Sequence, residues 1–281
     1  MEVKMRLRWR FIAALALTFL AQGIAMAAPP PAEISKTVTF IFLADANGQP
    51  RIQNDSPVAN GTGFFVIVEN ENGPGGYGYL VTAKHVLKDE AGAFFKSVFV
   101  RMNDKKGGST LIKVDLEPTG NKQNLFVHSD PTVDIAVVPA LPDENLFDFL
   151  AVPTTLIKSK EDFKKSTIKA GSDVFFTGLF APHYGDKVNT PIFRFGRVAM
   201  LTDDRIRWQE AGKAAEQVEL YLLETMSFGG NSGAPVCQSA LEWDPLSASK
   251  RDPFERRVLP VALAPSELAG VAETARARAC A

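Results

Sequence analysis

At 281 residues, with 46% apolar and 22% charged side chains, the chain is ordinary globular material, long enough for two modest cores or one large one. Its formal net charge of −1 gives no sign of the basic surface that a nucleic-acid partner requires. The first residues differ in kind from the rest. Lys4, Arg6, Arg8 and Arg10 precede an apolar run from Phe11 to Leu20, and a small-residue site follows at Ala25-Met26-Ala27. That is the pattern of a secretory signal peptide over residues 1–27. Gln22 and Gly23 interrupt the run before it reaches the roughly 20 apolar residues a membrane span needs. An exported protein, periplasmic or secreted, with no stable membrane anchor after cleavage, is therefore expected. Losing four basic residues and one acidic residue leaves 27 Lys and Arg against 31 Asp and Glu, a mature net charge of −4. Pro29-Pro30-Pro31 then reads as an extended leader into the first strand.

The body is rich in short β-branched and aromatic runs separated by Gly, Asn, Asp and Pro, which predicts strands at Thr37 to Phe42, Gly63 to Val68, Tyr77 to Thr82, Ser97 to Arg101, Leu111 to Leu116 and Asp134 to Val138. Asn70 to Gly76 is a turn cluster between two of them. Lys158 to Lys169 is charged and lacks strand alternation, so it reads as a connection between two halves. The second half predicts strands at Ser172 to Thr177, Pro191 to Met200, Val218 to Glu224 and Ala234 to Cys237. The absence of an alternating strand and helix rhythm argues for antiparallel all-β architecture.

Three segments carry chemistry: Leu80-Val81-Thr82-Ala83-Lys84-His85, Val133-Asp134-Ile135-Ala136-Val137-Val138 and Gly229-Gly230-Asn231-Ser232-Gly233-Ala234-Pro235. A serine hydroxyl is a weak nucleophile at neutral pH and needs an imidazole to take its proton. That imidazole needs a carboxylate to hold its tautomer and stabilise its cation. The apolar run after Asp134 predicts a buried carboxylate, which requires a partner. His85 lies 49 residues before Asp134, and Asp134 lies 98 before Ser232, so base and carboxylate fall on one half and the nucleophile on the other. An α/β-hydrolase elbow, G-x-S-x-G, fails because Ala234 stands two after Ser232 and no histidine follows it. The order Asp134, His183, Ser232 would suit a subtilisin-like arrangement, but the chain lacks the parallel α/β pattern that fold needs.

These motifs, in this order, resemble the trypsin-like (chymotrypsin-fold) serine peptidases, and the resemblance covers nearly all of the chain after residue 35. It implies two antiparallel six-stranded β-barrels with the active site in the cleft between them. The N-terminal barrel would span residues 28–157, the linker 158–170 and the C-terminal barrel 171–281. It implies a catalytic triad of His85, Asp134 and Ser232, an oxyanion hole formed by the backbone N–H groups of Gly230 and Ser232, and a primary pocket lined by Met226, Ser227 and Phe228. With no carboxylate at the pocket base, a preference for apolar or small P1 side chains is expected.

Lys84, where the family commonly has a small residue, and Ala234, where it often has glycine, are departures that supply no chemistry. At the C-terminus Trp243 to Arg257 is polar, and Leu268 to Val271 is the one weak strand candidate, so the second barrel is expected to be incompletely closed. Cys237 and Cys280 either join in a disulfide or remain a buried and an exposed thiol. The expected function is an exported serine endopeptidase acting on polypeptide substrate through an acyl-enzyme at Ser232, with no metal or organic cofactor. The alternatives are an esterase activity on the same triad, or a catalytically silent barrel pair that binds protein.

Overall fold

The computed structural model describes residues 30–70, 75–166, 168–209, 214–239 and 258–261. The expected signal peptide, Leu268 to Val271 and Cys280 lie outside the described residues. The first half contributes β1 (Val38–Leu43), β2 (Ile52–Gln53), β3 (Ser56–Pro57), β4 (Ala59–Glu69), β5 (Gly76–Ala83), β6 (Ser97–Asn103), β7 (Ser109–Asp115), β8 (Phe126–Val127), β9 (Ile135–Pro139) and β10 (Val152–Pro153). A six-residue helix, α1 (Lys160–Lys165), follows, opened by a reciprocal cap in which Ser159 and Asp162 each bond the other's backbone N–H. The second half contributes β11 (Asp173–Gly178), β12 (Ile192–Met200), β13 (Ile206–Trp208), β14 (Glu216–Val218), β15 (Leu222–Thr225), β16 (Val236–Ser239) and β17 (Val258–Val261).

Two sheets result. The first runs β7-β6-β1-β4-β5-β9-β8, antiparallel throughout, with β10 added in parallel on β4. The second runs β15-β12-β11-β16-β17, also antiparallel, while β13 and β14 form a separate hairpin. The architecture is mostly β with antiparallel sheets, as expected. Two-residue pairings at β8 and β10 raise the first sheet to eight strands, and the second holds five among the described residues. Neither strand path closes on itself among those residues. The expected strand from Val218 to Glu224 is divided, because Val218 pairs with Ile206 in the hairpin whereas Leu222 pairs with Met200 in the sheet.

Strands β4, β5 and β9 read as unbroken apolar runs because both of their faces are covered. Phe65, Leu80 and Val138 point to one cluster with Val98, Val100 and Met102, whereas Phe64, Val66, Val81 and Val137 point to the opposite one with Val38 and Val152. Each fully buried side chain of this size contributes roughly 1.5–3 kcal/mol relative to exposure. The second sheet has its own cluster around Phe163, Val174, Phe176 and Val198. Several contacts join the halves, among them these. Leu179 is buried among Phe40, Phe42 and Phe99. Ile34, from a short 3-10 turn before β1, packs on Phe175 and Cys237 of the second sheet. The Arg101 guanidinium, on β6, donates to the carbonyls of Gly185 at 2.7 Å and Asp186 at 3.0 Å and lies against the Tyr184 ring.

Candidate active site

Strand β5 ends at Ala83, opposite Ile135, the first residue of β9. The chain then makes a 3-10 turn over Lys84–Leu87, anchored by Val86 and Leu87, which are fully buried. This leaves His85 exposed directly beside Asp134, which immediately precedes β9. The two are joined twice: His85 N–H donates to Asp134 Oδ1 at 2.9 Å, and the ring Nδ1 lies 2.5 Å from Asp134 Oδ2. An ionised carboxylate only accepts, so Nδ1 carries the proton and a neutral His85 ring keeps its lone pair on Nε2.

Desolvation in the cleft works to raise the Asp134 pKa. The hydrogen bond and charge of the His85 side chain, the His85 backbone N–H and the nearby Lys84 ammonium outweigh it and hold the carboxyl below its ordinary value. The expectation of a buried Asp134 is corrected here: its side chain is 48% exposed, because the strand starts one residue later than expected and Asp134 stands at its mouth.

Lys84 stands where the family commonly has a small residue, a departure expected to supply no chemistry. In the structure its backbone N–H donates to Asp134 C=O at 3.1 Å, and its ammonium donates to the carbonyls of Pro131 and Val133 at 2.8 Å each. It therefore ties the loop carrying Asp134 to the turn carrying His85. No sequence signal marked this, since a lysine before the histidine looks like any solvated charge. The preceding Asp130 accepts from the Thr132 hydroxyl and backbone N–H and pairs with Arg205. In that order these contacts hold its carboxyl well below the usual range.

Ser232 is the first central residue of the second of two successive turns. Asn231 N–H donates to Phe228 C=O at 3.3 Å, and Ala234 N–H donates to Asn231 C=O at 2.9 Å. Gly230 at φ +100° and Gly233 at φ +87° occupy the second central positions, where such turns demand a positive φ. Gly229 C=O accepts from Ala181 N–H at 3.4 Å. Since a trans peptide sets its N–H and C=O on opposite sides, the N–H of Gly230 faces away from Ala181.

His85, Asp134, Ser227 and Ser232 all line one cleft of about 1260 Å³, whose floor includes Phe64 and Val81 of the first sheet and Phe176 and Val236 of the second. The hairpin residues Trp208, Glu216 and Val218 form part of its wall. Of the three residues expected in the primary pocket, Ser227 lines the cleft and two do not. Met226 is 72% exposed, and Phe228 is turned onto the Phe180 edge with the Arg194 guanidinium 4.2 Å from its ring centre. Cys237 is a buried free thiol whose pKa burial pushes up to about 12. Among the described residues no three His, Cys, Asp or Glu side chains gather to hold a metal ion.

Residues 61–243 match the sequence profile of the trypsin-like peptidase domain. No curated protein matches the chain. Similar solved structures include three of Rv3671c from M. tuberculosis. The inactive form of its serine-to-alanine mutant is 19% identical, with 89% of this chain and 96% of that chain covered and a TM-score of 0.39. The Rv3671c protease in its inactive form is 18% identical, with 86% and 90% covered and a TM-score of 0.40. Its active form is 19% identical, with 87% and 86% covered and a TM-score of 0.40.

Proposed function

The chain belongs to the trypsin-like peptidase domain family, and from that premise we propose that it is an exported serine endopeptidase. The observation that carries this reading is the doubly bonded His85–Asp134 pair opening onto the same cleft as Ser232. In the proposed reaction Ser232 Oγ attacks the scissile carbonyl while His85 Nε2 takes its proton. Asp134 holds the ring's tautomer and stabilises the imidazolium. The N–H groups of Gly230 and Ser232 receive the oxyanion of the tetrahedral intermediate. As that intermediate collapses, His85 returns the proton to the departing amine, leaving an acyl-enzyme on Ser232. Water, deprotonated by His85, then releases the acid and regenerates the serine. Ser227 is the proposed polar contact of the primary pocket, with apolar or small P1 residues preferred. Residues 1–27 are the proposed export signal.

Protein prepared by secretion tests both parts. Its N-terminus by mass spectrometry is expected at Ala28, and it should hydrolyse an unfolded protein substrate. Ser232→Ala should lower that turnover about 10⁶-fold and Asp134→Asn about 10⁴-fold, the scale seen when such triads are dismantled. Wild-type turnover in His85→Ala would contradict the triad, and a secreted chain beginning at Met1 would contradict the signal peptide. A folded wild type with no hydrolysis would favour the protein-binding alternative.

A further inference from the structure

Thr62 lies on β4, fully buried, and its polar groups together reach three segments around the cleft. Its hydroxyl donates to Gly230 C=O at 2.8 Å and accepts from Leu179 N–H at 2.8 Å. Its backbone N–H donates to Ser232 C=O at 2.8 Å. Its own carbonyl accepts from the Thr82 hydroxyl at 2.7 Å, and Thr82 precedes His85 by three residues on the strand that delivers it. The contact is also sterically tight. A Cβ on Gly233 would stand 2.1 Å from Thr62 O and 2.4 Å from Thr82 Oγ1, so the turn after Ser232 lies directly on β4 and β5.

Resting on the reading of Ser232 as nucleophile, we propose that Thr62 is a positioning residue for catalysis, its hydroxyl holding the Gly230 turn so that the oxyanion donors keep their direction. Glycine at φ +100° has no side chain to restrict it, and both peptides flanking its Cα must be held from outside. The preceding peptide is held by Ala181 N–H on Gly229 C=O, and the following one by the Thr62 hydroxyl on Gly230 C=O. Without that hydroxyl, Gly230 C=O and the buried Leu179 N–H both lose their partner, and the turn is free to rotate to find others. Donors that miss the developing oxyanion cost turnover, whereas ground-state substrate binding does not depend on them. Because Thr62 also holds Ser232 C=O and the β5 strand through Thr82, it is the shared reference between base and nucleophile.

The test compares Thr62→Ser, Thr62→Ala and Thr62→Val with wild type in kcat and KM on a peptide substrate. It also compares their affinity for a peptide aldehyde, which forms the tetrahedral oxyanion adduct. All are assayed below the unfolding midpoint of the least stable variant. The Ser and Ala variants both lack the methyl group, so their difference isolates the hydroxyl from packing. Thr62→Ser is expected to stay near wild type. Thr62→Ala and Thr62→Val are expected to lose roughly ten- to hundredfold in kcat, to lose aldehyde affinity in parallel, and to keep their KM. Equal kcat in Thr62→Ser and Thr62→Ala, or a loss expressed in KM alone, would overturn the inference and leave the peptidase reading standing. A wild type that hydrolyses nothing would overturn both.

Discussion

Asp134 is half-exposed yet keeps its charge, since bonding from His85 and the Lys84 ammonium outweighs the desolvation of the cleft wall. The sign of its pH dependence follows. A carboxyl whose folded pKa lies below its unfolded value contributes stability that is fully present above about pH 4 and is lost as pH falls through the folded pKa. Between neutrality and that range the unfolding midpoint of wild type should therefore exceed that of Asp134→Asn. The gap should close as the pH drops below about 4, because Asp130 and the other acids titrate in both proteins alike. A gap unchanged down to pH 2 would show that the Asp134 charge contributes nothing. At this scale the sequence carried much of the site: His85, Asp134 and Ser232 stood out by chemistry and order. Thr62 and Lys84 did not, for a threonine in a strand and a lysine beside a histidine carry no signal until the chain folds other segments against them.

Among the elements, the apolar β-branched runs of β1, β4, β5, β6, β7 and β9 were legible because each combines strand-forming residues with flanking Gly, Asn or Pro. The two-residue strands β8 and β10 were not, since their length leaves no periodicity to read. Strand β17, Val258–Val261, was also missed. It contains Pro260 and follows the polar stretch Trp243 to Arg257, yet it pairs antiparallel with β16, the strand leading away from Ser232. The turn between Gly229 and Gly233 was legible in composition, and its geometry supports a sharper expectation. Gly233→Ala would place a Cβ in backbone at φ +87° and into Thr62 O, so hydrolysis should be abolished and the unfolding midpoint lowered. Gly120→Ala is the control: its φ is also positive, at +60°, but nothing lies within 4 Å, so it should cost only about 1–2 kcal/mol and leave turnover intact. Thermal unfolding and hydrolysis assays on the two variants check this. Equal effects would show that the close approach of the Ser232 turn to β4 is not what constrains it.

In the whole molecule, two sheets with separate cores meet along Ile34, Leu179, Arg101 and Thr62, and the cleft opens where they meet. Base and carboxylate come from the first sheet and the serine from the turn before β16, so neither half alone holds the proposed chemistry. The order His85, Asp134, Ser232 already divides these residues between the two halves of the sequence. It did not foretell the joints, which bring together residues more than 80 positions apart, such as Arg101 with Asp186 and Thr62 with Gly230. The central claim is that this junction activates one hydroxyl. Its most direct test is to treat the folded protein with a fluorophosphonate and locate the adduct by peptide mass spectrometry. The account predicts one adduct per chain, on Ser232, absent when His85 is replaced by alanine. Modification elsewhere, or at Ser232 to the same extent without His85, would contradict it.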